Sequence, residues 1–171
     1  MQRIALGLLA LATCFLFSGC SGYRLGPAKP EDLAHIQKLA IPVFVNKTLE
    51  PRLAVPLTNA TIKEFQNDTS YEIASMDEAD AALIVEIKQI KRSSFRFNRS
   101  NRLISRELMF TVVCEFYVED LINGDLLLEG KATGRSNLGI ADNFQLTERQ
   151  ALTDAGRALA IQIMSKVSEG W

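Results

Sequence analysis

Apolar residues recur along this chain in three rhythms, and each predicts a different kind of element. Ile4 to Phe17 is almost continuously apolar. Two later stretches repeat at three and four residues, the spacing of one helix face. The remainder alternates residue by residue, as a half-buried strand does. Lys38 to Val45 reads as a first strand, at an edge or irregular because Pro42 has no N–H to donate. Asn46 to Glu50 is a turn. Leu53 to Asn67 is predicted as a helix, with Leu53, Leu57, Ala60, Thr61 and Phe65 on one face. Pro51 suits its start, whereas Pro56 marks a point from which regular helix could begin.

Tyr71 to Ser75 is a short strand, and Ala79 opens a longer one with Leu83, Val85 and Ile87 on one side. The next is the clearest. Ile104, Leu108, Phe110, Val112, Cys114, Phe116 and Val118 share one face, and Ser105, Glu107, Thr111, Glu115 and Glu119 the other. One apolar and one polar face belong to an antiparallel sheet covered on one side only. Asn123-Gly124 is a strong short hairpin signal that returns the backbone into Leu126 to Thr133. A final helix is predicted from about Asn143 to Val167, with a stripe at Leu152, Ala155, Leu159, Ile163 and Val167. The order implies an α+β fold: two helices packed on one face of a small, mostly antiparallel sheet of three to five strands, a two-layer sandwich.

The amino terminus changes the picture. Arg3, the apolar run and Phe17-Ser18-Gly19 before Cys20 describe a secretory signal peptide. The run is 14 residues long, short of the ~20 that span hydrocarbon. The cysteine directly after Ser-Gly resembles a bacterial lipobox. That resemblance implies cleavage before Cys20, a covalent diacylglycerol and N-acyl chain on it, and, with Ser21 following, retention at the outer membrane. Residues 1–19 are therefore expected to be a lipoprotein signal peptide, 20–35 a lipidated terminus and Gly/Pro-rich tether, and 36–171 one domain. Two or three acyl chains hold a protein to a membrane durably where one does not.

Charge and reactive residues exclude more than they include. Of 19 basic residues one, Arg3, lies in the signal, leaving 18 against 20 acidic. Nothing in that balance pulls the chain toward nucleic acid. Cys14 leaves with the signal and Cys20 carries lipid, so Cys114 has no partner for an internal bridge. On an apolar strand face it is expected to be a buried, inert thiol. His35, the one histidine, falls in the tether. Asp77, Glu78 and Asp80 cluster at a loop-to-strand junction with no further ligand, which fits a turn better than a metal. No enzyme, metal site or soluble cofactor is expected.

The informative region is Lys91 to Arg106. It holds Lys91, Arg92, Arg96, Arg99, Arg102 and Arg106 and no acidic residue. Phe95 and Phe97 flank Arg96 at strand spacing, and Asn98-Arg99-Ser100-Asn101 has turn composition. This predicts a long hairpin with a basic rim. One meaning is a solvated edge, where arginine guards against aggregation. Another is an anionic partner, because guanidinium forks bind phosphate and the phenylalanines could meet acyl chains. Lys131 and Arg135 form a smaller basic set near the end of the following strand.

Several stretches in order resemble the LptE family of lipopolysaccharide-assembly lipoproteins. They are Cys20-Ser21-Gly22-Tyr23-Arg24-Leu25, Leu39-Ala40-Ile41-Pro42-Val43-Phe44, Asn46-Lys47-Thr48, Glu50-Pro51, Leu57-Thr58-Asn59-Ala60, Glu64-Phe65, Ala79-Asp80-Ala81 and the hairpin Phe95 to Leu108. The resemblance implies a lipid-anchored, periplasmic-side plug in the lumen of an LptD-like outer-membrane barrel. It also implies that the chain binds lipopolysaccharide and helps its delivery to the outer leaflet. The candidate lipopolysaccharide ligands are Arg92, Arg96, Arg102, Arg106, Lys131 and Arg135. The alternative is a scaffold or pilot of another envelope assembly machine that does not bind lipopolysaccharide.

Overall fold

A computed structural model of the chain describes residues 29–96, 106–139 and 144–170. The signal peptide, Cys20, the tether up to residue 28, the hairpin tip and Arg102 lie outside the described residues. The elements in chain order are β1 (Lys38–Ala40), β2 (Val45–Asn46), α1 (Ala54–Asp68), β3 (Glu72–Ile73), β4 (Ala81–Arg96), β5 (Arg106–Asp120), β6 (Leu126–Gly139) and α2 (Phe144–Glu169). The strands form one sheet in the order β3-β1-β4-β5-β6, with β2 also against β4. β4, β5 and β6 are antiparallel, while β1, β2 and β3 join in parallel. Both helices pack on one face, giving the expected two-layer α+β arrangement. The described sheet has six strands because the short parallel ones add to the meander.

Pro42 explains why the first predicted strand is split. Its missing N–H ends β1 at Ala40, and the chain rejoins the sheet as β2 five residues later. Phe44 in the gap is buried, and its N–H donates to Thr58 Oγ1 at 3.0 Å. That hydroxyl in turn donates to Ala54 O at 2.8 Å, so a buried threonine ties α1 to the break. Pro56 is the third residue of α1, where no i−4 carbonyl inside the helix awaits its N–H. The core is built from Leu83, Val85 and Ile87 on β4, Phe110, Val112 and Cys114 on β5, and Phe65, Leu159 and Ile163 on the helices, all at most 1% exposed. Each large side chain so buried contributes roughly 1.5–3 kcal/mol before entropy is counted.

Two features differ from the sequence expectation. Leu33 is 0% exposed, so core packing begins inside the stretch read as tether. The Asn123-Gly124 turn is longer than a two-residue hairpin. Only Gly124 has positive φ there, Asp120 N–H donates to Asp125 O, and the Asp120 carboxylate accepts N–H bonds from Ile122 at 2.7 Å and Asn123 at 3.2 Å. A neighbouring device fixes β1: Asp80 Oδ2 accepts the N–H groups of Lys38 at 2.8 Å and Gln37 at 2.9 Å.

α2 lies against β6 at backbone distance. A Cβ on Gly134 would stand 1.9 Å from Ala155 O and 2.7 Å from Leu159 N. Gly134→Ala is therefore expected to destabilise the domain by about 1–3 kcal/mol, read as the urea midpoint; a loss below ~0.5 kcal/mol contradicts this packing. The N–H donors hold the Asp120 and Asp80 carboxyls below their ordinary values. Their contribution is thus complete above the unfolded value of about 3.9 and is lost as pH falls toward the lowered native one. Asp120→Asn should cost stability at pH 7, with the gap closing as pH drops below about 4; a gap unchanged in strong acid contradicts it.

Candidate functional site

The basic residues are sorted between the two faces of the sheet by one extra residue. Ile87 pairs with Cys114 and Gln89 with Val113, so Lys88 is unpaired and forms a bulge in β4. Before it, Leu83, Val85 and Ile87 face the helices. After it the alternation is reset, and Ile90 and Arg92 lie opposite the inward Val112 and Phe110. Lys91 is thereby turned to the open face, opposite Thr111.

Arg92 consequently sits on the helix side. Its Nη2 is 2.6 Å from Glu50 Oε1, before α1, and 2.8 Å from Glu148 Oε1 on α2. Its guanidinium carbon is 5.8 Å from the Phe110 ring centroid. Glu50 above all, then Glu148, favours the charged guanidinium. These groups line a groove of about 720 Å³ between the first turns of the two helices, walled by Leu53, Pro56 and Leu152. Arg92 therefore joins α2 and the segment leading into α1 to the sheet.

The open face carries two rows of charge. In the lower row Glu115 lies between Glu86 and Lys131 in register. Lys88 Nζ reaches Glu86 at 2.5 Å and Glu115 at 3.0 Å, and Lys131 Nζ reaches Glu115 at 2.9 Å. Lys131 first, then Lys88, lowers the Glu115 carboxyl, while Lys88 itself is raised. A cleft of about 610 Å³ opens around this ladder, bordered by Tyr117 and Leu126. The upper row is Lys91, Thr111 and Arg135, in register across β4, β5 and β6. Lys91 and Arg135 are exposed, and among the described residues neither has a carboxylate within ion-pair distance. Two strand spacings put their backbones roughly 10 Å apart, with the threonine hydroxyl position between them.

The six predicted cations thus divide. Arg92 is on the helix side, and Lys131 and Arg135 are on the open side in different rows. Arg96 and Arg106 are paired in backbone register at the hairpin end. The basic set on β6 does return toward that hairpin, but Arg135 meets Lys91 and Thr111 while Lys131 meets Glu115. Lys91 was not singled out from the basic run, nor were the anchoring carboxylates Glu50 and Glu148. The signal for Lys91 was present: Leu83, Val85 and Ile87 are followed by Ile90, and that break in parity moves a lysine outward.

No reactive constellation accompanies these rows. Cys114 is buried, and burial pushes its thiol up to about 12, far from a thiolate at neutral pH. His35 is largely exposed, with Nε2 3.5 Å from the turn carboxylate of Asp120.

A model of the LptE lipopolysaccharide-assembly family matches residues 36–167. The chain belongs to that family. LptE-family proteins are non-enzymatic assembly lipoproteins of the cell envelope. No curated protein matches the chain. Solved structures share the fold at low identity. A minor lipoprotein from Acinetobacter baumannii is 13% identical with a TM-score of 0.53, covering 77% of this chain and 92% of that one. The PelC dodecamer protein from Paraburkholderia phytofirmans is 16% identical with a TM-score of 0.53, covering 82% and 95%. The hypothetical protein CT253 from Chlamydia trachomatis is 10% identical with a TM-score of 0.55, covering 77% and 95%.

In this LptE-family chain, the two kinds of cation should separate in a stability measurement. Arg92→Met removes a joint between helices and sheet and is expected to cost about 1 kcal/mol. Arg135→Ala and Lys91→Ala should each stay within about 0.5 kcal/mol of the parent by urea denaturation. Equal losses for all three would contradict the division between inner and open faces.

Proposed function

We propose that this chain is an outer-membrane lipoprotein, lipidated at Cys20 on the periplasmic side. It plugs the lumen of an LptD-like barrel and binds lipopolysaccharide on its way to the outer leaflet. Family membership supports the setting. The observation that carries the binding reading is the carboxylate-free row Lys91, Thr111 and Arg135 on the open face of the sheet. Phosphate accepts charge-assisted bonds from guanidinium, ammonium and hydroxyl together. Arg96 and Arg106 hold register positions of Arg92's parity at the hairpin end, on the other face of the sheet from that row. Lys91 and Arg135 are the proposed phosphate ligands of the open face, and Arg96 and Arg106, with Arg102 in the connection between them, are a separate proposed basic set at the hairpin end. Arg92 and Lys131, already held by carboxylates, contribute field rather than direct contact.

The mechanism is non-catalytic. A barrel lumen is polar and is commonly plugged, and an open sheet face carrying charges of both signs suits that surrounding. The acyl chains on Cys20 raise the local concentration of the plug beside the barrel. Exposed phosphate contacts weaken with salt, since screening acts over ~8 Å at physiological strength. That keeps the ligand exchangeable rather than trapped.

Lys91→Glu combined with Arg135→Glu is expected to weaken lipopolysaccharide binding at least about tenfold, roughly 1.4 kcal/mol, with the thermal unfolding curve retained. Unchanged affinity at moderate salt overturns the binding reading. Pulldown of the lipidated chain from outer-membrane extract should bring an LptD-like barrel with it. Normal surface lipopolysaccharide after depletion of the chain would instead favour a scaffold or pilot of another machine.

A further inference from the structure

The cleft around the charge ladder has a lining of two kinds. Tyr117, 37% exposed, and Leu126, 58% exposed, give it apolar surface, with half-buried Ile84 in register beside Tyr117. Glu86, Lys88, Glu115, Lys131 and Glu129 give it charge. The two lysines are committed to Glu86 and Glu115. Glu129, opposite Tyr117 on β6, is exposed, and among the described residues it has no ion-pair partner. The volume, about 610 Å³, falls within the range of small-molecule sites.

This mixture disfavours most ligand classes. Carboxylates outnumber ammonium groups three to two, so an anion is not drawn in. A cation would lie against both lysines. An acyl chain would strip water from ionised groups and offer them no bond in return. A neutral polyol suits both parts of the lining. Its hydroxyls donate to carboxylate oxygens and accept from ammonium N–H groups. The C–H side of a sugar ring packs on an aromatic face, the negative part of the ring quadrupole.

We propose that this cleft is a saccharide subsite. A sugar ring packs against Tyr117 and Leu126, and its hydroxyls are shared among Glu129, Glu115 and Lys131. Lys131, as the partner of Glu115, is no ligand for phosphate, but its ammonium group keeps N–H donors for a hydroxyl. The cleft lies on the same face of the sheet as Lys91, Thr111 and Arg135. Thr111 and Tyr117 are six residues apart on β5, roughly 20 Å at the rise of a strand. A phosphorylated oligosaccharide a few rings long covers that distance. Naming the ligand as the saccharide of lipopolysaccharide therefore rests on the lipopolysaccharide reading, whereas the chemistry of the cleft does not. The subsite gives the open face a second hold on its ligand, one that involves no charge on the ligand and is little screened by salt.

The test titrates the full lipidated chain, in a detergent without sugar groups, with the lipid-free, dephosphorylated oligosaccharide of lipopolysaccharide. Calorimetry reads the binding, and the thermal unfolding curve checks each variant. Binding is expected. Tyr117→Ala should weaken it about tenfold, and Tyr117→Phe, which keeps the ring, should not. Glu129→Ala should weaken it about threefold or more. Lys91→Glu with Arg135→Glu should leave it unchanged while weakening intact lipopolysaccharide. No binding up to millimolar oligosaccharide, or binding that survives Tyr117→Ala, overturns the subsite even where intact lipopolysaccharide still depends on Lys91 and Arg135. Oligosaccharide binding that needs Tyr117 supports the subsite even where the double charge reversal leaves intact lipopolysaccharide bound, a result that overturns the phosphate row alone. A short-chain phospholipid has phosphate and acyl chains but no sugar, and Tyr117→Ala should not change its binding. A loss there assigns the cleft to acyl chains and overturns the proposal.

Discussion

A single unpaired residue in the longest hairpin decides which way this protein presents its charge. Had β4 run without the bulge at Lys88, Ile90 and Arg92 would face outward and Lys91 would be turned toward the helices. With it, an apolar residue and a structurally bonded arginine lie inward and a free ammonium lies outward. The bulge leaves Lys88 itself on the open side, where it closes the ladder of Glu86, Glu115 and Lys131. Register, a property of the backbone, thus sets the electrostatics of both faces.

The helix layer depends on a second constraint of the same local kind. α2 approaches β6 so closely at Gly134 that main chain meets main chain, and Gly156 makes room for the Leu57 side chain of α1. These contacts keep both helices on one side and leave the other side of the sheet free. Arg92 then reaches from the sheet to the start of both helices. The fold therefore has a helix-covered face that supplies stability and an open, charged face turned away from the helices. On the proposed reading, function and stability use different residues even where those residues are adjacent in sequence, as Lys91 and Arg92 are.

Much of this was legible in the sequence. The 3.6-residue stripes gave both helices close to their observed limits, and the alternation in Phe110 to Val118 gave the central strand and its buried face. Pro42 signalled an edge or irregular strand; the irregularity is there as the split after Ala40, but β1 lies between β3 and β4 rather than at an edge. The parallel strands were harder to see because two of them, Val45–Asn46 and Glu72–Ile73, are two residues long and carry no period. The length of the Asn123-Gly124 turn was set by the Asp120 carboxylate, which binds two amides that a tight hairpin would have directed elsewhere. The grouping of the cations was misread for a specific reason. Counting arginines along a run ignores the face on which each stands, and the parity break between Ile87 and Ile90 carried that information. The carboxylates at Glu50 and Glu148 are far from Arg92 in sequence, so their hold on it needed the tertiary structure.

Membership of the LptE family gives these faces their setting, and the open face is where lipopolysaccharide is proposed to bind. The most direct measurement is photo-crosslinking in living cells from single positions on each face. Probes at Thr111 and Gln89 on the open face should yield lipopolysaccharide adducts, and probes at Glu50 and Glu148 on the helix face should yield none. Adducts from the helix face with silence at Thr111 would contradict the account.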